Sequence, residues 1–112
     1  MARTPTNFKH NTQLTTSAVS VVDSIGTNAD AVIRKLSFYN SGSSLRTVTV
    51  YVVEASGTAD TGNTLAVKAI PAGTTWNCIE TQGEIIASGM SIAARQDAGA
   101  DVNVNCSGAL IT

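Results

Sequence analysis

The sequence predicts an all-β protein, an antiparallel β-sandwich of about eight short strands with an extended N-terminal arm. Valine, isoleucine and threonine supply 11, 8 and 15 of the 112 residues, whereas leucine supplies five. Such β-branched side chains favour strands. Several segments alternate apolar and polar residues with a period of two. Turn-forming segments recur about every ten residues with no helical stretch between them, which is typical of a sandwich or barrel.

A chain of 112 residues is the size of one domain. Residues 1–14 lack periodicity and contain Pro5, so they are predicted to be an extended arm, and residues 15–112 the sandwich. Termini without tertiary anchors are usually frayed. Phe8 and Leu14 favour an anchored arm, because each side chain needs an apolar contact.

The first strands of the sandwich are predicted at residues 17–24 and 31–40, with a turn at 26–30 between them. The second of these is the clearest strand in the chain. Its alternation predicts one face made of Val32, Leu36 and Phe38, with Arg34 in line with them. The other face is predicted to hold Ile33, Lys35, Ser37 and Tyr39.

The remaining strands follow the same period of two. In residues 45–55 the alternation places Val48, Val50 and Val52 on one face. In residues 64–70 it places Leu65, Val67 and Ala69 on one face. Further short extended segments are predicted at 75–82, 83–89, 90–96 and 101–107. Strand order stays open at this point, so a jelly roll and an immunoglobulin-like topology are both compatible with the pattern.

Charge and hydropathy exclude several classes of function. Seven Lys or Arg balance eight Asp or Glu, and no basic stripe could follow a phosphate backbone, so we expect no nucleic-acid partner. No apolar run approaches the ~20 residues that cross a bilayer, so we expect no membrane association.

The N-terminus has no apolar core of a signal peptide. We therefore expect a cytoplasmic site of synthesis, in which Cys78 and Cys106 are reduced and buried, although a disulfide between neighbouring strands stays open.

The tripeptide Asp60-Thr61-Gly62 matches the catalytic loop of small aspartic proteases, which are all-β homodimers of similar length. In those proteases the aspartate directly follows a hydrophobic strand, whereas Asp60 follows the polar loop 56–59. We therefore interpret Asp60 as a loop residue whose side chain bonds its own backbone.

No other catalytic or metal-binding pattern is present in the sequence. A nucleophilic triad would have to recruit the single histidine, His10, from the arm. One histidine and two distant cysteines lack the spacing of a metal site. The sequence thus predicts no enzyme activity, no cofactor and no metal. Trp76, Tyr39 and Tyr51 could form a sugar-stacking platform, but tryptophan more commonly fills a core or a subunit contact.

Several structural motifs follow one another in the sequence. They comprise the 31–40 strand closed by Asn40, the valine-threonine strand and small-residue loop after it, the turn Ile70–Thr74, the step Ile86, Gly89 and Ile92, and the C-terminal segment Val102–Gly108. Together these motifs resemble those of small β-sandwich virion proteins of tailed bacteriophages. The similarity spans residues 31–112. Met90 departs from the pattern, since these proteins often carry aspartate after the glycine.

Among these proteins the chain most resembles a capsid decoration, or cement, protein. The resemblance implies a structural virion protein on the outer capsid surface, assembled in the host cytoplasm, that stabilises capsomer contacts. It further implies the major capsid protein as partner and self-association as a homotrimer. The arm would then contact the capsid through residues 1–14, with Arg3, Phe8, Lys9, His10 and Leu14 as candidate partner-binding residues. Alternatives are a tail or fibre module that binds a host receptor or glycan, and a connector or tail-assembly subunit.

Overall fold

A computed structural model describes residues 3–55 and 57–112, which form nine β-strands. Two three-residue 3-10 turns, Thr61–Asn63 and Ile79–Thr81, are the only helical elements of the described residues. The all-β prediction is therefore confirmed. The strands are β1 (Arg3–Gln13), β2 (Val19–Val22), β3 (Asp30–Asn40), β4 (Arg46–Val53), β5 (Thr64–Ile70), β6 (Thr75–Asn77), β7 (Ile85–Ile86), β8 (Ser91–Gln96) and β9 (Val102–Ile111).

The strands form two antiparallel sheets that pack face to face. The first sheet has the order β1-β9-β3-β6, and β7 also pairs with β3; the second has the order β2-β8-β4-β5. The short strands β6 and β7 are thus two pieces of one strand position beside β3. With β6 and β7 counted as one strand, β1 pairs with β9, β2 with β8, β3 with β6 and β7, and β4 with β5.

This nesting of pairs is a long hairpin rolled into two sheets. It defines a jelly roll, which settles the topology that the sequence left open. An immunoglobulin-like order would not place each early strand beside its counterpart from the end of the chain.

The core lies between the sheets and consists mainly of β-branched residues and leucine. Phe38 is its largest fully buried side chain. Trp76 lies opposite Phe38 on β6 and stacks on it, with ring centroids 5.3 Å apart and planes 20° apart. The remaining large residues that are less than 2 % exposed include Leu14, Ile33, Leu36, Ile70, Ile86 and Ile92.

The predicted faces of β3 are correct only from Leu36 onward. Leu36 and Phe38 point into the core, but so does Ile33, whereas Val32 is only partly buried. The cause is a shift in the β3–β9 register between Ile33 and Lys35. This is a β-bulge, in which one extra residue, Arg34, changes the alternation of the strand. Simple period-two alternation therefore assigned the residues before the bulge to the opposite face.

In the second sheet, β4 follows its predicted alternation, whereas β5 turns its predicted apolar face outward. Val48 and Val50 are fully buried in the core. Leu65, Val67 and Ala69 share a face of β5, and this is the outer face, because Val67 is 59 % exposed while Ala66 and Ile70 on the alternate positions are buried. The edge strand β5 thus shows part of its apolar surface to solvent.

Residues 3–13 of the predicted arm are extended and form an edge strand of the first sheet. Their register with β9 runs from Arg3 opposite Ile111 to Gln13 opposite Asn103. Leu14 follows with its side chain fully buried, and its backbone N–H donates to the carbonyl of Val102 at 2.8 Å. In this conformation the sandwich includes the arm, because β1 covers the hydrogen-bonding edge of β9.

Candidate interaction surfaces

The five candidate residues of the arm divide into anchors and exposed side chains. Leu14 lies in the core and Phe8 packs against it. These two side chains hold the arm to its own domain, so in this conformation Leu14 is unavailable to a partner. Lys9 is partly buried, with its Nζ 3.7 Å from the Asp23 carboxylate. Arg3 and His10 are exposed.

Asp60 lies in an exposed loop and caps the 3-10 turn that follows it. Its Oδ1 accepts from the Gly62 N–H at 2.8 Å, and its own N–H donates to the Asn63 side chain at 2.9 Å. This is the bond of a loop aspartate to its own backbone that the sequence predicts. A carboxylate that caps its own turn serves the shape of the loop.

The three aromatic residues considered as a platform lie apart. Trp76 stacks on Phe38 at the edge of the core. Tyr51 is buried against Val53 and Ala93 on the second sheet, and Tyr39 is 43 % exposed on the first. Because they do not share a surface, the sugar-stacking alternative has no platform in this fold.

Cys78 and Cys106 are free and buried, as predicted. They lie on opposite sides of β3, since Cys106 pairs with Leu36 and the Cys78 N–H donates to the Leu36 carbonyl at 2.8 Å. Two strand spacings separate their backbones by about 9–10 Å, which exceeds the Cα separation of a disulfide. Burial raises the pKa of the Cys106 thiol to about 12, and proximity to Cys78 adds to the shift. Burial likewise raises the pKa of Cys78.

A buried polar cluster closes one end of the sandwich, and its first member is Asn40. The Asn40 side chain is fully buried and donates to the carbonyls of Ser44 and Ile70 at 2.8 and 2.9 Å. It also accepts from the Gly42 N–H at 3.0 Å. The backbone of Asn40 adds hydrogen bonds to Gly73 and Thr74. Asn40 therefore ties the end of β3 to the turn after β5.

The second member of this cluster is Gln96, which is also fully buried. Its Nε2 donates to the carbonyls of Leu14 and Gly99 at 2.9 and 2.7 Å. Its Oε1 accepts from the N–H groups of Asp101 and Val102 at 3.2 and 3.0 Å. The amide thus donates two hydrogen bonds and accepts two, which is its full capacity. Gln96 therefore links the residue after β1 to the start of β9. Burial of Gln96 is not predictable from the sequence, since a glutamine at the end of a strand gives no local signal of burial.

Asp101 joins Arg46 to the same end of the molecule. The Nε and terminal nitrogen of Arg46 each lie 2.9 Å from Asp101 Oδ2, and both side chains are partly buried. We call Asn40, Gln96, Arg46 and Asp101 the Asn40–Gln96 cluster. Throughout the described part of the chain, no buried side-chain nitrogen or oxygen lacks a hydrogen-bond partner.

A groove of about 690 Å³ lies on the outer face of the first sheet, above residues 105–108 of β9 and between β1 and β3. We call it the bulge groove. Its charged lining consists of the cations Arg34 and Lys35 from β3, and β1 adds the imidazole of His10. Its neutral lining includes Thr6, Ser37, Asn105 and Ser107. Arg34 was predicted to lie in line with Val32, Leu36 and Phe38, but it is exposed on the outer face. The available signal was Ile33-Arg34-Lys35-Leu36, where two charges in a row between two apolar residues break the period of two.

Two classes of site can be tested on geometry. In residues 3–55 and 57–112, no three His, Cys, Asp or Glu side chains come together in a way that could hold a metal ion. Nor does any helix in that part of the chain reach the length and apolarity needed to cross a membrane.

Solved structures similar to this chain are viral capsid proteins. The infectious bursal disease virus particle matches with a TM-score of 0.46 and 16 % identity over 97 % of this chain. A mutant VP2 protein of the same virus in T=1 particles matches with a TM-score of 0.42 and 16 % identity over 97 % of this chain. A VP2 subviral particle matches with a TM-score of 0.39 and 13 % identity over 97 % of this chain. This chain spans 30–31 % of the length of those capsid proteins. The sequence matches no protein-family model and no curated protein sequence.

Proposed function

We propose that this chain is a structural virion protein of a tailed bacteriophage, and specifically a capsid decoration protein. It would bind the outer head surface as a homotrimer and stabilise contacts between capsomers through the major capsid protein. Its place would be the virion surface, reached by assembly in the host cytoplasm. It would transform no substrate.

The observation that carries the proposal is the position of the resembling motifs in the fold. Asn40 and the Ile70–Thr74 turn, about thirty residues apart in sequence, meet through the side-chain bond from Asn40 to the Ile70 carbonyl. The C-terminal motif begins at Val102, which pairs with Asn40. The three motifs that resemble those of phage virion proteins thus meet at one end of the fold. The similarity therefore concerns how the sandwich is built, as expected for a protein whose role is mechanical.

The distribution of side-chain chemistry agrees with a binding role. The Asp60 carboxylate accepts a hydrogen bond within its own turn, and the thiols of Cys78 and Cys106 are buried. A jelly roll closed at one end by the Asn40–Gln96 cluster leaves the outer sheet faces as the surfaces for partners. In a trimer, three modest contacts would act together and bind far more tightly than one.

The test is attachment to expanded heads that lack the protein. We expect the full chain to co-sediment with heads to saturation and to behave as a trimer in analytical ultracentrifugation. The exposed arm residues are tested by Arg3→Gln with His10→Gln, because deletion of residues 1–13 would remove β1 and uncover β9. We expect this variant to bind about tenfold more weakly, whereas Lys68→Gln on β5 serves as the control. A chain that does not attach to heads contradicts the proposal.

A further inference from the structure

The bulge groove is formed by irregularities in two strands at the same level. The β3–β9 register shifts between Ile33 and Lys35, opposite residues 107–108 of β9. The β1–β9 register shifts between Asn7 and Lys9, opposite residues 106–107, and again between Lys9 and Thr12. A bulge bends its strand and redirects side chains. Two bulges that flank one stretch of β9 therefore shape the concave outer surface above it.

The bulge in β3 places two adjacent cations on the same face. In a regular strand, neighbouring side chains point to opposite faces. Here Ile33 and Leu36 are buried while Arg34 and Lys35 between them are both exposed. Gly108 makes this possible, because a methyl group at that position would overlap the carbonyl oxygen of Val32.

The cations of the bulge groove have no ionic partner within the described chain. The ion pairs found in residues 3–55 and 57–112 join Lys9 to Asp23 and Arg46 to Asp101, and neither involves Arg34 or Lys35. No carboxylate lines the groove. The groove is therefore a locally positive surface on a chain whose net charge is −1.

We propose that the bulge groove binds an extended acidic polypeptide segment. The Arg34 guanidinium fork suits a carboxylate, and Lys35 would hold a second one. The hydroxyls of Ser37 and Ser107 and the amide nitrogen of Asn105 can bond the backbone of an extended chain, whereas Asn105 Oδ1 already accepts from the Asn11 N–H. A nucleic acid is a poorer fit, since two adjacent cations are not a row that follows a phosphate backbone.

This proposal goes beyond the virion role and does not depend on it. If the chain binds a capsid, the acidic segment belongs to the capsid partner. Binding by the isolated full chain is measured without particles, so failure of either proposal leaves the other intact.

The experiment is an NMR titration of the full chain with a hexaglutamate peptide. We expect backbone signals of Arg34, Lys35 and Ser107 to shift with saturation. Binding should weaken as NaCl rises from about 50 to about 300 mM, since exposed charges are screened. A hexaglutamine peptide is the control of equal length and should leave these signals in place.

Two groove variants and one matched control locate the site. Arg34→Gln with Lys35→Gln should weaken hexaglutamate binding by about tenfold or more, and Lys68→Gln should leave it unchanged. Ser107→Asp places a carboxylate in the groove itself and should abolish binding, which keeps the test valid if the double variant folds poorly.

Three results would overturn the proposal. The first is unchanged hexaglutamate affinity in both groove variants. The second is equal affinity for hexaglutamine, which would mean that charge is irrelevant. The third is inorganic phosphate that shifts the same signals with the same affinity as the peptide, which would make the groove a site for small anions.

Discussion

The Asn40–Gln96 cluster and the bulge groove are both rich in polar side chains, but they use them in opposite ways. In the cluster, the amides of Asn40 and Gln96 are fully buried and bonded within the chain. In the groove, Arg34 and Lys35 are exposed and form no ion pair with any described carboxylate. Satisfied buried polar groups specify a fold, whereas exposed cations without internal partners are free to meet another molecule. The contrast separates residues that build the jelly roll from residues that its surface offers to partners.

The largest expected effect comes from the residue that permits the groove. Gly108→Ala should lower the free energy of unfolding by about 3 kcal/mol, because the new methyl group would overlap the Val32 carbonyl. Urea denaturation measures it. Gly26→Ala is the control, since a methyl group there meets nothing within 4 Å. Equal stability of the two variants would mean that β3 and β9 do not approach as closely as described.

Asn40→Ala should destabilise the protein by about 2 kcal/mol, because it leaves the buried Ile70 carbonyl without its side-chain donor. Thermal or urea unfolding measures the change. Asn77→Ala, at an exposed position of β6, is the matched control and should change stability by less than about 0.5 kcal/mol. If both substitutions cost the same, the Asn40–Gln96 cluster does not stabilise the fold in the way proposed.

Cys106 lies on β9 beneath the groove, with its thiol buried in the core. Its pKa is raised from 9.0 to about 12 by burial, so folding favours the neutral thiol. The contribution of the neutral Cys106 thiol to the free energy of unfolding is fully present below pH 9 and is lost as the pH rises toward 12. From pH 9 to pH 10 the thiol should reduce the free energy of unfolding by about 1 kcal/mol. The measurement compares the pH slope of the native chain with that of Cys106→Ala, and identical slopes would place the thiol in solvent.

The smallest effect on stability is expected in the bulge groove. Arg34→Gln with Lys35→Gln should change the free energy of unfolding by less than about 0.5 kcal/mol, since exposed charges contribute little. Urea denaturation of this double variant and of Asn40→Ala under the same conditions compares the two free energies of unfolding. A loss comparable to that of Asn40→Ala would mean that the two cations build the fold after all.

The sequence pattern correctly predicted features that are determined by residues close together in the chain. The alternation in 45–55 identified Val48 and Val50 as core residues, the bounds of β5 were predicted at 64–70, and the loop around Asp60 was interpreted correctly as a self-capped turn. Each of these features depends on neighbouring residues, which a single sequence shows.

Features that depend on distant residues were beyond the sequence. The β3 bulge requires Gly108, more than seventy positions from Arg34, so the pattern of β3 alone misassigned Ile33. The partners of Gln96 include the carbonyl of Leu14 at the other end of the chain. Strand order also depends on pairings between distant segments, which is why jelly roll and immunoglobulin-like topologies could not be separated. The groove was missed for the same reason, since β1, β3 and β9 each supply part of its lining.

The most direct test is a cryo-EM map of the intact phage particle that this chain is proposed to decorate. Our account predicts jelly-roll density on the outer head surface in groups of three, with the Arg34–Lys35 face turned toward an acidic segment of a neighbouring subunit. Density confined to the tail would contradict the proposed capsid role, and a head-bound jelly roll whose Arg34–Lys35 face points only to solvent would contradict the proposed use of the bulge groove.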